Sequence, residues 1–262
     1  MANKSIYIFI LLFSIASCST AQKKELNNVE SLKAKELLAS ISKINASTPD
    51  TISSSFTADG NAGNKKFRVE GKVNFDKKGY YKVTILDYVF QSPVIEAYRE
   101  LDRLYFYYPA EDKLLTDDVK KIDLSMYTGF KSEYKLLYTL LTGGVPLIEK
   151  FSVYKCLYEE KKNEYNLIIE NDEYFENIFF RDDFPEKILF IHKLSRSKAE
   201  IYLNSITEKD RSIFFKKYKI IAPELNTSIS ISFIKPQLNT VINVDRLKIE
   251  KLPKKTEIIK VN

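Results

Sequence analysis

Between Phe67 and Phe75 every second residue is apolar or small: Phe67, Val69, Gly71, Val73 and Phe75 are interleaved with Arg68, Glu70, Lys72 and Asn74. Successive side chains of a strand point to opposite faces, so this spacing demands a strand with one dry face and one wet face. The period returns in Tyr81, Val83 and Ile85 after the turn residues Lys77-Lys78-Gly79, and in Leu104, Phe106 and Tyr108 before a turn at Pro109 to Asp112. Further strands are predicted from Val94, over Phe151 to Tyr158, Tyr165 to Ile169, Ile188 to Leu194, Ile201 to Leu203 and Ile213 to Ile221, and over Ile229 to Phe233 between serines. About ten or eleven strands in meander order, without β-α-β alternation, imply one large antiparallel sheet that must curl to bury its dry face.

Two segments carry a helical period instead. Leu37, Leu38, Ile41 and Ile44 fall on one face, Asn27 and Glu30 are spaced as a capping box, and Pro49 lies beyond the end. A second helical region is predicted over Ile122 to Leu141, interrupted near Gly129, with Ser132 as N-cap of its second half and Gly143-Gly144 and Pro146 as its stop. There Tyr134, Leu137, Tyr138 and Leu141 share a face, yet Leu136 and Leu140 lie off it, so this helix is apolar around most of its circumference and calls for burial. The expected class is mainly β (α+β): a large curved antiparallel sheet with two helical segments. No linker rich in Pro, Gly or Ser divides residues 28–262, which are expected to form a single domain.

The start of the chain reads as an export signal. Lys4 supplies a positive charge, Ile6 to Phe13 an apolar run too short to span a bilayer, and Ile15-Ala16-Ser17 lead into Cys18. That run resembles the lipobox of bacterial lipoproteins, which implies cleavage after residue 17 and lipid on Cys18. Residues 18–27 would then be a lipidated tether, and several acyl chains, at about 0.8 kcal/mol per buried methylene, would hold the protein on a membrane. Ser19 follows the lipidated position, and by analogy with lipoprotein sorting in enteric bacteria this points to the outer membrane, facing the periplasm. With Cys18 consumed, Cys156 lacks an intrachain partner and is expected to be a small buried apolar group.

Chemistry is scarce. The net charge of +6 is spread along the chain, and an exported, anchored protein is a poor candidate for nucleic acid. His192 is the single histidine, within the apolar run Ile188 to Leu194, where a structural role is expected. No HExxH, paired CxxC, phosphate-loop or nucleophile-elbow pattern occurs. The pairs Asp117-Asp118, Glu159-Glu160 and Asp182-Asp183 are adjacent, so on a strand they point apart and cannot share a proton. No metal, cofactor or enzymatic activity is expected.

One segment stands out. Tyr88-Val89-Phe90 lies between two predicted strands, followed by Gln91-Ser92-Pro93. Three bulky apolar residues at a turn either fold back beneath their neighbours or form an exposed finger that touches lipid or a partner.

The lipobox, the first helix, the hairpin Phe67 to Asp87, the apolar loop Tyr88 to Phe90, the strands Val94 to Tyr108 and the segment Tyr127-Thr128-Gly129 through Gly143-Gly144-Val145-Pro146 together resemble, in that order, the LolA/LolB lipoprotein-sorting family over about residues 28–150. The resemblance implies that the large curved antiparallel sheet forms an incomplete β-barrel closed by two or more helices, whose apolar cavity takes acyl chains. Lining residues would be Phe67, Val69, Val73, Tyr81, Val83, Ile85, Leu104 and Phe106, with Leu137 and Leu141 from the covering helix. It also implies a LolB-type receptor that passes lipoproteins to the outer membrane, receives them from a periplasmic LolA-type carrier, works as a monomer, and inserts a loop into the membrane; Tyr88, Val89 and Phe90 occupy that loop's place. The chain departs from the family in lacking the loop's usual Pro-hydrophobe-Gly turn and in its long region after Pro146. A non-catalytic structural or surface lipoprotein that holds a protein or glycan partner is the other reading of the same curved sheet.

Overall fold

The computed structural model describes residues 28–87, 89–119, 134–209, 211–247 and 257–260. After helix α1 (Asn28–Ala46) come β1 (Thr51–Ala62), β2 (Lys65–Asp76), β3 (Tyr80–Leu86), β4 (Pro93–Glu100), β5 (Arg103–Tyr108) and β6 (Lys113–Asp118). Helix α2 (Tyr134–Leu141) follows. Then come β7 (Ser152–Glu159), β8 (Glu164–Glu170), β9 (Tyr174–Arg181), β10 (Phe184–His192), β11 (Lys198–Lys209), β12 (Ser212–Ala222), β13 (Thr227–Leu238) and the short β14 (Glu257–Lys260). The fourteen strands among the described residues belong to one sheet, in the order β14-β6-β5-β4-β3-β2-β1-β13-β12-β11-β10-β9-β8-β7. Two antiparallel meanders are joined where β1 pairs with β13, and β14 adds to β6 in parallel. The sheet is curved and unclosed, with β14 and β7 at its two edges.

The concave face is defined by residues that stand opposite one another across the strands. In the β7–β13 arm, Cys156, Leu167, Ile178, Ile188, Ile201 and Ile220 form one such row. Every member but Ile220 is buried, and Phe180, Phe190, Phe214 and Phe215 are sealed beside it. Two elements fill this arm. Helix α1 lies against β7 and β10 and buries Ala34, Leu37, Ile41 and Ile44. It is moored to the β9–β10 turn by Lys33 Nζ on Asp183 at 2.9 Å and by the Ser40 hydroxyl on the Asp183 carbonyl at 2.9 Å.

The second filler is the strap from Thr142 to Ile148, buried along its length except for the half-buried Leu147. Gly143 stops α2 with φ +81°, its N–H on the Leu140 carbonyl, and only a residue without Cβ fits there, because Phe214 lies against it. Asn45 at the end of α1 then clasps the strap at Val145, accepting its N–H at 2.7 Å and donating to its carbonyl at 2.9 Å.

The sequence pattern anticipates ten of these strands and misses β1, β6, β9 and β14. β1 places Ser54 and Ala58 on its inner face beside Ile52 and Phe56, so its apolar signal is thin. The inner face of β9 includes Glu176, and β6 ends in Asp117-Asp118. β10 ends at His192, so Leu194 does not share its face but lies in the following turn, exposed. The second helix is described from Tyr134; Ile122 to Glu133, with Gly129 and the N-cap Ser132, lies outside the described residues, as do the capping residue Asn27 and the proposed signal and tether.

Candidate functional site

The β2–β6 arm differs from its partner. Val73 and Val83 stand opposite each other, as do Val83 and Ala97, Ala97 and Phe106, and Phe106 and Leu115. The next row toward the β3–β4 turn holds Gly71, Ile85 and Ile95. Of these apolar side chains only Val73 is buried; Val83, Ile85, Ile95, Phe106 and Leu115 are half-buried. An apolar strip thus remains partly open to solvent along β3 to β6, whereas the inner row from β7 to β11 is buried throughout.

The residues expected to line an acyl cavity separate accordingly. Val73, Tyr81 and Leu104 are buried core, and Val69, Val83 and Phe106 are half-buried and pack on that core. Phe67 and Ile85 are half-buried farther along the strip, toward the ends of their strands. Leu137 and Leu141 are half-buried, while α2 meets the core through Tyr134, Leu136, Tyr138 and Leu140.

At the strip's upper end the chain makes a tight turn. The Asp87 carboxylate accepts the N–H groups of Val89 at 2.9 Å and Phe90 at 2.7 Å, the Asp87 N–H donates to the Ser92 carbonyl, and Gln91 takes φ +53°. This side-chain turn needs no buried apolar group to hold it. Val89 and Phe90 are therefore displayed, 73% and 82% exposed, with Val94 exposed beside them at the start of β4. Tyr88 and Cys18 lie outside the described residues.

At the lower end one row further on, Tyr81 stands opposite Arg99, and Arg99 opposite Leu104. The Arg99 guanidinium lies 4.4 Å from the ring centre of Tyr138 and 5.3 Å from that of Tyr134, both on α2, and its Nε donates to the Leu101 carbonyl at 2.7 Å. Tyr138 also packs on Phe75, with ring centres 5.3 Å apart. Burial raises the Tyr134 hydroxyl to about 12 and lifts those of Tyr81 and Tyr138, while Arg99 pulls all three back. The Tyr134 hydroxyl is near enough to Tyr81 and Arg99 for both to influence its proton, yet it meets neither in good hydrogen-bond geometry and is buried without a partner.

Sequence reasoning missed two groups. Arg99 is an inward-facing charge in a strand whose exposed and half-buried residues gave no clear period, and Glu176 sits wholly buried between Phe190 and Ile169. Glu176 Oε2 accepts the Ile148 N–H at 2.8 Å and so ties the strap to β9, while Oε1 has no partner. Burial pushes this carboxyl up to about 8, so it is a neutral acid at pH 7.

His192 offers no catalytic arrangement among the described residues. Its Nδ1 accepts the Ser195 N–H at 3.1 Å and meets the Ser195 hydroxyl at 2.7 Å, within one turn, and its ring packs on Tyr174. Among the described residues no group of three His, Cys, Asp or Glu side chains could hold a metal, and no helix is long and apolar enough to cross a membrane. Cys156 is a free, buried thiol facing Leu167, its pKa raised by that burial.

The fold and site define a class: an unclosed antiparallel half-barrel, roofed by two helices, with one arm filled and the other apolar and partly open. No family model matches this chain, and no curated protein does. Solved structures do match it. A DUF1329 family protein from Desulfovibrio piger aligns with TM-score 0.59 at 11% identity, over 83% of this chain and 96% of that one. A LolA superfamily protein from Nitrosomonas europaea aligns with TM-score 0.55 at 7% identity, over 81% of this chain and 97% of that one. A Vibrio parahaemolyticus domain named for outer-membrane lipoprotein sorting gives 0.55 at 9% identity, over 83% and 97%. The chain has the LolA-like fold.

Proposed function

We propose that this protein is a LolB-like outer-membrane lipoprotein, anchored by lipid on Cys18 and facing the periplasm, that takes up the acyl chains of lipoproteins or lipids and assists their insertion. The observation that carries the reading is the half-buried apolar strip of β3 to β6 leading into a turn that displays Val89 and Phe90. Three chains of about sixteen carbons would lose on the order of 35 kcal/mol if passed through water, so they must slide from one apolar surface to another. A strip that ends at a membrane-touching turn provides such a path and requires no bond chemistry. A periplasmic LolA-type carrier would deliver the cargo, and the protein would act as a monomer. The names of the Nitrosomonas and Vibrio structures favour this reading over a structural or glycan-binding lipoprotein.

Changing Val89 or Phe90 to Glu tests the device. Each side chain buried in lipid contributes roughly 1.5 to 3 kcal/mol, so each change is expected to cut transfer of a lipoprotein to liposomes ten- to hundredfold. The fold should survive, because the turn is held by Asp87 and backbone groups. Parental transfer by both variants would remove the turn from the mechanism. For the anchor, Cys18→Ala is expected to abolish labelling by radioactive palmitate; persistent label would refute the lipid site.

A further inference from the structure

We infer that the lower end of the strip is an anion anchor, in which Arg99 and the hydroxyls of Tyr134 and Tyr81 hold the oxyanion head, a carboxylate or phosphate, of an acyl amphiphile whose chain lies along β3 to β6. This rests on the reading of the strip as an acyl path and names the chemical class of its occupant.

Three observations carry it. First, Arg99 is a cation placed on the concave face, half-buried, with the rings and hydroxyls of Tyr134 and Tyr138 and a backbone carbonyl for neighbours and no ion pair among the described residues. The carboxylate on the same row is Asp117, beyond Leu104, and its Oδ1 accepts the Asp118 N–H. A guanidinium stacked on aromatic faces keeps its N–H edge for a planar or tetrahedral oxyanion. Here the rings fix its plane, and Leu101 fixes its rotation through Nε. Second, the buried Tyr134 hydroxyl has Tyr81 and Arg99 close by but closes no hydrogen bond of good geometry to either, and a buried donor left so is costly unless a ligand completes it. Third, the apolar strip begins at this row. Ala97 and Ile95 succeed Arg99 on the inner face of β4, and at about 3.4 Å per residue Ile95 lies about 14 Å from Arg99, a span that an extended acyl chain covers.

The orientation is also consistent with a membrane. With Val89 and Phe90 in the lipid, Arg99 is the end of the strip remote from it. A lipid in a bilayer already points its head outward and its chain inward, so it can slide head-first along β3 and β4 toward Arg99 without turning over.

The test uses the full-length chain carrying Cys18→Ala, in detergent-free buffer, with dodecanoate and dodecanol as probes of equal chain length and isothermal titration as readout. The parent is expected to prefer dodecanoate at least tenfold. Arg99→Gln should erase that preference while leaving dodecanol affinity in place, Arg99→Lys should retain part of it, and Tyr134→Phe should lower it severalfold. A general loss of structure would instead weaken both probes together. If Arg99→Gln does not fold, Tyr134→Phe carries the test alone, since it removes one oxygen and no ring. Equal affinity for the two probes in the parent, or an unchanged preference in Arg99→Gln and Tyr134→Phe, overturns the anchor and leaves the apolar path standing. Binding of neither probe overturns the path itself. Inorganic phosphate binding as tightly as dodecanoate would show a free-anion site and overturn the amphiphile.

Discussion

The parent protein is expected to lose stability relative to a Glu176→Gln variant as pH rises from about 4.5 to 8, and the difference should reach several kcal/mol. Burial raises the Glu176 carboxyl from an ordinary value of 4.5 to about 8, with the Ile148 N–H opposing the shift only in part. Below pH 4.5 the group is protonated in both folded and unfolded chains, and its contribution is fully present. Between these values the unfolded chain has released the proton that the folded one retains. Each unit of pH therefore removes about 1.4 kcal/mol from the folded state, a loss on the order of 5 kcal/mol by the time the folded group itself ionises, and constant above that. Gln keeps the shape of the neutral acid and an oxygen for the Ile148 N–H, but has nothing to ionise. Urea midpoints of the two proteins, measured at intervals from pH 4 to 9, give the difference directly. Parallel profiles would mean that Glu176 is not a buried neutral acid.

Gly143→Ala is expected to destabilise the protein by about 2 to 4 kcal/mol. Part of this is the left-handed backbone, which costs an L-residue roughly 1 to 2 kcal/mol. The larger part is steric: a Cβ at Gly143 would lie 2.4 Å from the Phe214 ring and 3.1 Å from its Cα, and Phe214 is wholly buried. Overpacking of this kind costs about 1 to 3 kcal/mol because neither neighbour can retreat. If Gly143→Ala unfolds at the parental urea concentration, the strap does not press on β12 as described.

Both changes act on the strap, and the strap is where sequence reasoning reached its limit. The sheet was legible because alternation is local: Phe67 to Phe75 or Ile229 to Phe233 declares a face without reference to the rest of the chain. β1 and β9 were not, since Ser54 and Glu176 stand where apolar residues were needed: the Ser54 hydroxyl is met by the carbonyls of Ser55 and of the distant Ile234, and the Glu176 carboxyl by the distant Ile148 N–H. Gly143-Gly144 and Pro146 mark the end of a helix, yet nothing in them says that the chain then dives beneath α1 and fills one arm. Whether a concave face is open or filled is settled by such non-local paths. The exposed turn at Val89 and Phe90 was visible as an oddity of composition, and its two alternatives were decided by Asp87, which holds the backbone without burying either side chain.

One further consequence comes from the seam between β1 and β13. The Ser54 hydroxyl donates to a carbonyl 180 residues away, and the two meanders meet in the sheet through these strands alone among the described residues. A growing polypeptide therefore finishes its first meander long before the mate for β1 has been synthesised, and carries an unsatisfied ladder of amides until then. Such late, distant pairing makes for slow maturation and a prolonged hazard of clumping. A fragment ending before Thr227 would leave two ragged sheets that no local rearrangement could mend.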